Sequence, residues 1–269
     1  MSPAPLILLP PSEGKASGGD GPPLDLDSLS FEELNPTRER VAKILGQVSE
    51  RPRTSQKLLG VKGTALAKAM AENVAISGSA TLPAIERYTG VMYDAIDYQS
   101  LGVEAKECFG QSTIIMSGLF GMVRPYDMIP AYKLKMGGKL PRGKTCSAIW
   151  KPVITKSLAA ISQDRVIWDL LPNEHGAAWN PAAVKSSARY TVKFLNRTPD
   201  GELKTVNHWS KLLKGALVRH LVSNPEPAGS PASALKLIAD FTHPEGYEFR
   251  PEMTIETNGA TEIILLKDD

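Results

Sequence analysis

The chain has 269 residues, with 31 Lys and Arg against 29 Asp and Glu, a formal net charge of +2 and 42% hydrophobic residues. That length buries a core without a disulfide or metal staple, and that composition excludes disordered and collagen-like chains. Near-neutrality excludes wholesale coating by nucleic acid, so any nucleic-acid contact must be a local patch.

The opening residues hold only a short apolar run with no basic flank, and no later stretch is long enough to cross a bilayer, so no membrane role is expected. Leu6-Ile7-Leu8-Leu9 predicts a buried strand, stopped by Pro10-Pro11 and followed by a Gly-, Ser- and Pro-rich loop over 12–23. Asn35-Pro36 predicts an N-cap and first turn, with Val41, Ile44, Leu45 and Val48 at helical spacing behind it. Over 53–75 two short helices are expected around the tight turn Gly60-Val61-Lys62-Gly63. A helix over 100–110 then leads into a core strand over 113–117 and the irregular segment that follows.

Further along, a helix over 147–161, a strand over 166–170 and a loop over 172–181 repeat the strand-to-loop pattern. Thr198-Pro199-Asp200-Gly201 suits a turn between strands over 190–195 and 203–206, which predicts a hairpin. Over 208–222 Trp209, Leu212, Leu213, Ala216, Leu217 and Leu221 form one helical stripe, with Lys211, Lys214 and Arg219 off it. A Pro- and Gly-rich loop over 223–231, a helix over 232–240 and a strand over 261–267 complete the pattern. Helices and strands intermix throughout, so the expected fold is α/β (mixed α+β): one domain spanning 1–269, built on a central mixed sheet. Cys108 and Cys146 lack CxxC spacing and no secretory signal precedes them, so free thiols in the reducing cytoplasm are expected.

Four motifs carry possible chemistry. Ser12-Glu13-Gly14-Lys15 leaves a buried strand on a flexible loop able to wrap an anion, although it is not a Walker loop; Lys15 is either functional or a solvated loop lysine. Gly60 and Gly63, with Lys57, Lys62 and Lys68 around them, suit either a helix-hairpin-helix holding a DNA phosphate or an ordinary helical connection. Arg124 and Asp127 either grip an anion through the guanidinium fork or brace their loop as a pair, and Lys133 follows closely. Glu174 or His175 could act as a general base, or Glu174 could orient a cation such as Lys15. No histidine pair sits at metal spacing and no GxSxG elbow occurs, so neither a metal nor a cofactor is expected.

Pro11-Ser12-Glu13-Gly14-Lys15, Arg87-Tyr88-Thr89-Gly90, Ser117-Gly118-Leu119-Phe120-Gly121, Arg124-Pro125-Tyr126-Asp127 and Tyr132-Lys133-Leu134-Lys135-Met136-Gly137 together resemble the YaaA peroxide stress protein family. Later echoes are Leu171-Pro172-Asn173-Glu174, the helix with Trp209, Lys211 and Lys214, and the segment from Phe241 to Tyr247, so the resemblance covers nearly the whole chain. It implies a single α/β domain with a helix-hairpin-helix element, binding to double-stranded or distorted DNA, and a role in limiting iron-driven damage during peroxide stress. Ser12-Glu13 departs from the family pattern, where a small apolar residue is more usual before the lysine, and the Gly- and Pro-rich loop is longer.

Two functions follow. In the first, the protein binds DNA through Lys57, Gly60, Lys62, Gly63 and Lys68, joined by Lys211 and Lys214. In the second, it is an enzyme acting on an anionic small molecule, a nucleotide or acyl-phosphate-like compound, with Lys15, Arg124, Asp127, Lys133 and Glu174 around the ligand.

Overall fold

A computed structural model describes residues 3–141, 143–206, 210–257 and 259–268. The expected helix start at His208 and Trp209 lies outside them. The described strands are β1 (Leu6–Leu9), β2 (Gly21–Pro23), β3 (Ala80–Pro83), β4 (Thr113–Ser117), β5 (Gly121–Val123) and β6 (Met128–Ile129) in the first half. They continue with β7 (Val166–Asp169), β8 (Ala188–Arg197), β9 (Leu203–Thr205), β10 (Glu248–Phe249), β11 (Ile255–Thr257) and β12 (Ala260–Asp268).

The four residues of β1 are fully buried because parallel strands flank them on both sides, which is why that segment is uninterruptedly apolar. Leu8 lies opposite Ile114 of β4 and Asp169 of β7. The main sheet runs β10-β12-β8-β7-β1-β4-β5, with β9 on β8 and β11 on β12; β2, β3 and β6 form a small second sheet. β1, β4, β7, β8 and β12 are parallel to their neighbours in this set, while β5, β9, β10 and β11 pair antiparallel. Numbered by chain position, the parallel set has the order 2-1-3-4-5. The winding direction therefore reverses between β1 and β7, and ligands of open α/β sheets bind outside the carboxyl ends of strands at such a reversal.

The sheet is the expected mixed one, and the hairpin is β8–β9, its turn closed by Gly201 N–H to Thr198 O at 2.8 Å with Gly201 at φ 86°. Helix α1 (Asn35–Ser49) departs from expectation at its start. Leu34 is the cap, and Asn35 sits inside the first turn, donating to Asp27 Oδ1 and accepting from Arg38. A short 3-10 turn at Glu32–Leu34 feeds the helix directly, so no side-chain cap is needed. The loop over 12–23 ends in β2, the loop over 172–181 contains a short helix at Asn173–Gly176, and the 223–231 loop contains another at Pro225–Ala228.

Helices α2 (Pro52–Leu59) and α3 (Gly63–Val74) form the expected pair, with Gly60 ending α2 at φ 67° and Gly63 at φ 57°. Asn73 of α3 is buried and bonds both backbone groups of Lys133, donating to its carbonyl at 3.0 Å and accepting its N–H at 2.8 Å. The helical pair thus clamps the loop that carries Lys133. Arg38 is buried and donates to the Phe120, Met122 and Ser30 carbonyls. Trp150 donates to Gly118 O at 2.9 Å, so the segment after β4 is tied from two sides.

Candidate functional site

The loops leaving β1 and β7 face each other across a cavity of about 250 Å³. Its walls include Ser12, Glu13 and Lys15 after β1, Lys133 and Lys135, Glu174 and His175 after β7, and Lys211. A second lobe of about 230 Å³ adjoins it, sharing Pro10 to Glu13 and Lys211 and reaching Thr89 and Gly90. Both lobes lie where the strand order reverses.

Lys15 is half-buried, with Nζ donating to Ser12 O at 3.1 Å and lying 4.3 Å above the centre of the Tyr132 ring and 5.4 Å from that of Tyr88. Burial pushes its ammonium down to about 7, and the neighbouring charge of Lys133 acts in the same direction against Glu72 and Glu13. Among the described residues no carboxylate lies within ion-pair distance of Lys15, Lys133 or Lys211. Lys135 differs: its Nζ meets Glu13 Oε1 at 2.8 Å, and that hydrogen bond holds the Glu13 carboxyl below its usual range.

The Lys15 loop is fixed from behind. Arg87 is buried and donates to four backbone carbonyls, those of Ile129 at 3.0 Å, Ala16 at 2.5 Å, Gly18 at 2.8 Å and Ala80 at 3.2 Å. Ser12 Oγ accepts the Thr89 N–H at 2.9 Å, and Ala16 N–H donates to Arg87 O at 2.9 Å. Under Lys15 the hydroxyls of Tyr88 and Tyr132 meet at 2.8 Å, and Tyr132 meets Ser117 Oγ at 2.7 Å. Ser117 Oγ already accepts the N–H groups of Leu119 and Phe120, which fill its two lone pairs. Its own proton therefore points to Tyr132, whose hydroxyl also meets that of Tyr88. Burial raises both phenols, Tyr132 to about 12, so both stay protonated at neutral pH.

On the opposite wall Glu174 Oε1 accepts the Gly137 N–H at 2.6 Å. A Cβ on residue 137 would lie 3.0 Å from Glu174 Cδ, so a larger residue there requires the Glu174 side chain to give way. Burial pushes the His175 imidazole down to about 4, so the ring is neutral, and its buried Nδ1 has no hydrogen-bond partner among the described residues. The arrangement offers cations for an anion, one amine near its own titration point, and a neutral imidazole with an open hydrogen-bonding nitrogen.

Of the residues singled out from the sequence, Lys15, Lys133 and Glu174 converge here; Arg124 and Asp127 do not. Arg124 donates to Gln111 O at 2.8 Å and lies over the Phe31 ring, on a separate shallow hollow with Tyr126. Asp127 accepts from the N–H and hydroxyl of Ser30 and from the backbone N–H of Arg124 at 2.9 Å, so it braces its loop through main chain rather than through the guanidinium. Lys211, expected beside DNA, lines the cleft. Lys214 is turned inward, donating to Leu170 O at 3.0 Å, and Arg219 bonds the Ile96 and Asp97 carbonyls. Lys57, Gly60, Lys62, Gly63 and Lys68 are exposed and do not line the cleft, and Lys68 pairs with Glu72 at 3.7 Å.

Lys135, Glu13 and the tyrosines were not singled out as site residues in the sequence. Tyr88 and Tyr132 are 44 positions apart and leave no spacing signal. Cys108 and Cys146 are buried free thiols, and burial raises both, Cys146 to about 12, which removes the thiolate that a peroxide sensor needs. Among the described residues no group of three His, Cys, Asp or Glu side chains is placed to hold a metal ion, and no helix is long and apolar enough to cross a membrane.

The sequence profile described as peroxide stress protein YaaA matches residues 6–253. A UPF0246 protein of Corynebacterium efficiens is 38% identical over 267 residues, covering 97% of this chain and 99% of its own. A UPF0246 protein of Streptomyces coelicolor is 36% identical over 251 residues, covering 92% of each chain. One from Corynebacterium glutamicum is 36% identical over 229 residues, covering 83% of this chain and 87% of its own.

Proposed function

Because the chain belongs to the peroxide stress protein YaaA family, we propose that it serves the peroxide stress response by binding and acting on an anionic small molecule in the cleft between β1 and β7. One observation carries this reading. Lys15, Lys133 and Lys211 reach one cavity from three distant chain segments, each without a carboxylate partner among the described residues. Surface lysines left to solvent have no reason to converge, whereas a preorganised anion site requires it. Glu174 supplies a carboxylate on the opposite wall for an acid-base step.

Thermal unfolding with inorganic phosphate, pyrophosphate and nucleoside monophosphates tests the reading, since a ligand that binds only the native state raises Tm. The expected result is a rise with at least one anion that disappears in Lys133→Ala and Lys211→Ala. A rise that persists in both variants would place the anion elsewhere.

A second reading, binding to duplex or distorted DNA, is favoured by the exposure of Lys57, Gly60, Lys62, Gly63 and Lys68 around the first turn of α3, which no side chain caps. Anisotropy of labelled duplex and bubble DNA across salt tests it. A Lys57→Glu, Lys62→Glu, Lys68→Glu triple variant with unaltered affinity would remove this surface from the reading.

A further inference from the structure

The cleft treats its lysines unequally, and the inequality names a chemistry. Lys135 is held by Glu13, and Lys214, beyond the wall, is held by the Leu170 carbonyl. Lys133 and Lys211 line the cavity as cations with no ion-pair partner among the described residues. Lys15 lies over two aromatic rings, on a loop held in place by Arg87, with Nζ anchored by one carbonyl, and it lines the cavity. An amine that merely bound an anion would gain most from full ionisation in contact with solvent. Burial beside another lysine favours the neutral, nucleophilic amine, against the attraction of the ring faces for the ammonium.

We propose that Lys15 is a catalytic amine whose Nζ adds to the aldehyde or ketone carbon of a small substrate bearing a phosphate or carboxylate group, with Lys133 and Lys211 holding that group. The inference rests on the anion-site reading above and adds the reacting carbonyl. In the step, the nitrogen lone pair forms the C–N bond while the carbonyl π pair moves to oxygen. The two amine protons then leave with that oxygen as water, the C–O bond breaks, and an imine joins Lys15 to the substrate; a solvent proton converts it to the iminium. Proton transfer from nitrogen to oxygen runs through water in the open cleft, with the Glu174 carboxylate on the opposite wall. No oxidant, metal or second substrate is consumed.

The environment of Lys15 supports the step. With its ammonium titrating near 7, about half of the amine is neutral at that pH, against roughly one part in 10³ for an ordinary lysine near 10.4. Glu72 and Glu13 oppose the depression, while Lys133 and Arg87 reinforce it.

The test uses glyceraldehyde 3-phosphate as the probe, at pH 7 with the full chain, followed by borohydride reduction and peptide mass mapping. Trapped adduct is expected at Lys15 at least tenfold above any other lysine. Unphosphorylated glyceraldehyde, and the phosphorylated probe with Lys133→Ala, should give roughly tenfold less, the loss expected for one charge-assisted contact. Lys15→Arg should abolish trapping while keeping a cooperative urea unfolding transition, which shows that the fold survives. Adduct spread evenly over surface lysines, with the pyrophosphate shift intact, would overturn the amine role and leave the anion site standing. Loss of both trapping and pyrophosphate binding in the unmodified chain would overturn both.

Discussion

Replacing Arg87 by methionine removes the guanidinium that ties the Lys15 loop to the small sheet while keeping much of the side-chain volume. Four carbonyls lose a charged donor, those of Ile129, Ala16, Gly18 and Ala80. Hydrogen bonds to charged groups contribute about 1.5–3 kcal/mol each, so a simple sum would exceed about 6 kcal/mol. Gly18 and Ala80 are exposed, however, and water replaces part of what they lose, whereas Ile129 is fully buried. The expected net destabilisation is therefore about 3–4 kcal/mol, placing Arg87→Met among the severe single substitutions. Urea unfolding should show the midpoint falling with unchanged slope, and for a chain of this size Tm should fall by roughly 10 °C. Arg87→Lys should recover about half, since a point charge replaces a planar fork. The Tm rise with inorganic pyrophosphate should also shrink in Arg87→Met, because Lys15 follows its loop. A destabilisation under about 1 kcal/mol would refute the view that this guanidinium organises the loop.

Lys15 makes stability pH-dependent. Its ammonium titrates near 7 in the folded chain and near 10.5 when unfolded, so between these values the unfolded state binds the extra proton and stability rises with pH. Wild type should accordingly gain on Lys15→Met from pH 7 upward, and a difference in urea midpoint that stays flat from pH 6 to about 9 would contradict the depression. Gly137→Ala should force Glu174 off the Gly137 N–H and lower Tm by a few degrees, read by thermal unfolding. Both thiols should resist a thiol-reactive dye and hydrogen peroxide in the native protein and react once unfolded in urea; rapid native labelling would contradict their burial. If the α2–α3 turn grips DNA, charge reversal at Lys57, Lys62 and Lys68 should flatten the salt slope by about 0.9 for each phosphate the variant no longer neutralises, read by anisotropy.

The buried strands were legible because parallel strands covered on both faces read as apolar runs, as at Leu6–Leu9 and Thr113–Ser117. The small sheet was not, since β2 is Gly-Pro-Pro and β6 is only Met128–Ile129, too short for any alternation to register. In the site, Lys15 and Glu174 were legible as charged residues leaving a strand. Arg124 was drawn into the same site by its motif, yet its Nη1 is bonded to the Gln111 and Gly110 carbonyls on a separate hollow, and main-chain partners leave no trace in sequence. Lys211 and Lys214 looked alike on one helix and lie one turn apart, yet Lys211 lines the cleft while Lys214 reaches the Leu170 carbonyl, a difference set by what each meets in the fold. The clamp of Asn73 on Lys133 joins residues 60 positions apart and depends wholly on tertiary packing.

Isothermal titration of inorganic pyrophosphate into the unmodified chain at pH 7 and low ionic strength, repeated with Lys133→Ala and Lys211→Ala, tests the anion-site reading most directly. One saturable site per chain is predicted, weakened roughly tenfold or more by each substitution. No saturable heat in the unmodified chain, or the same Kd in all three proteins, would contradict a cleft built to hold an anion.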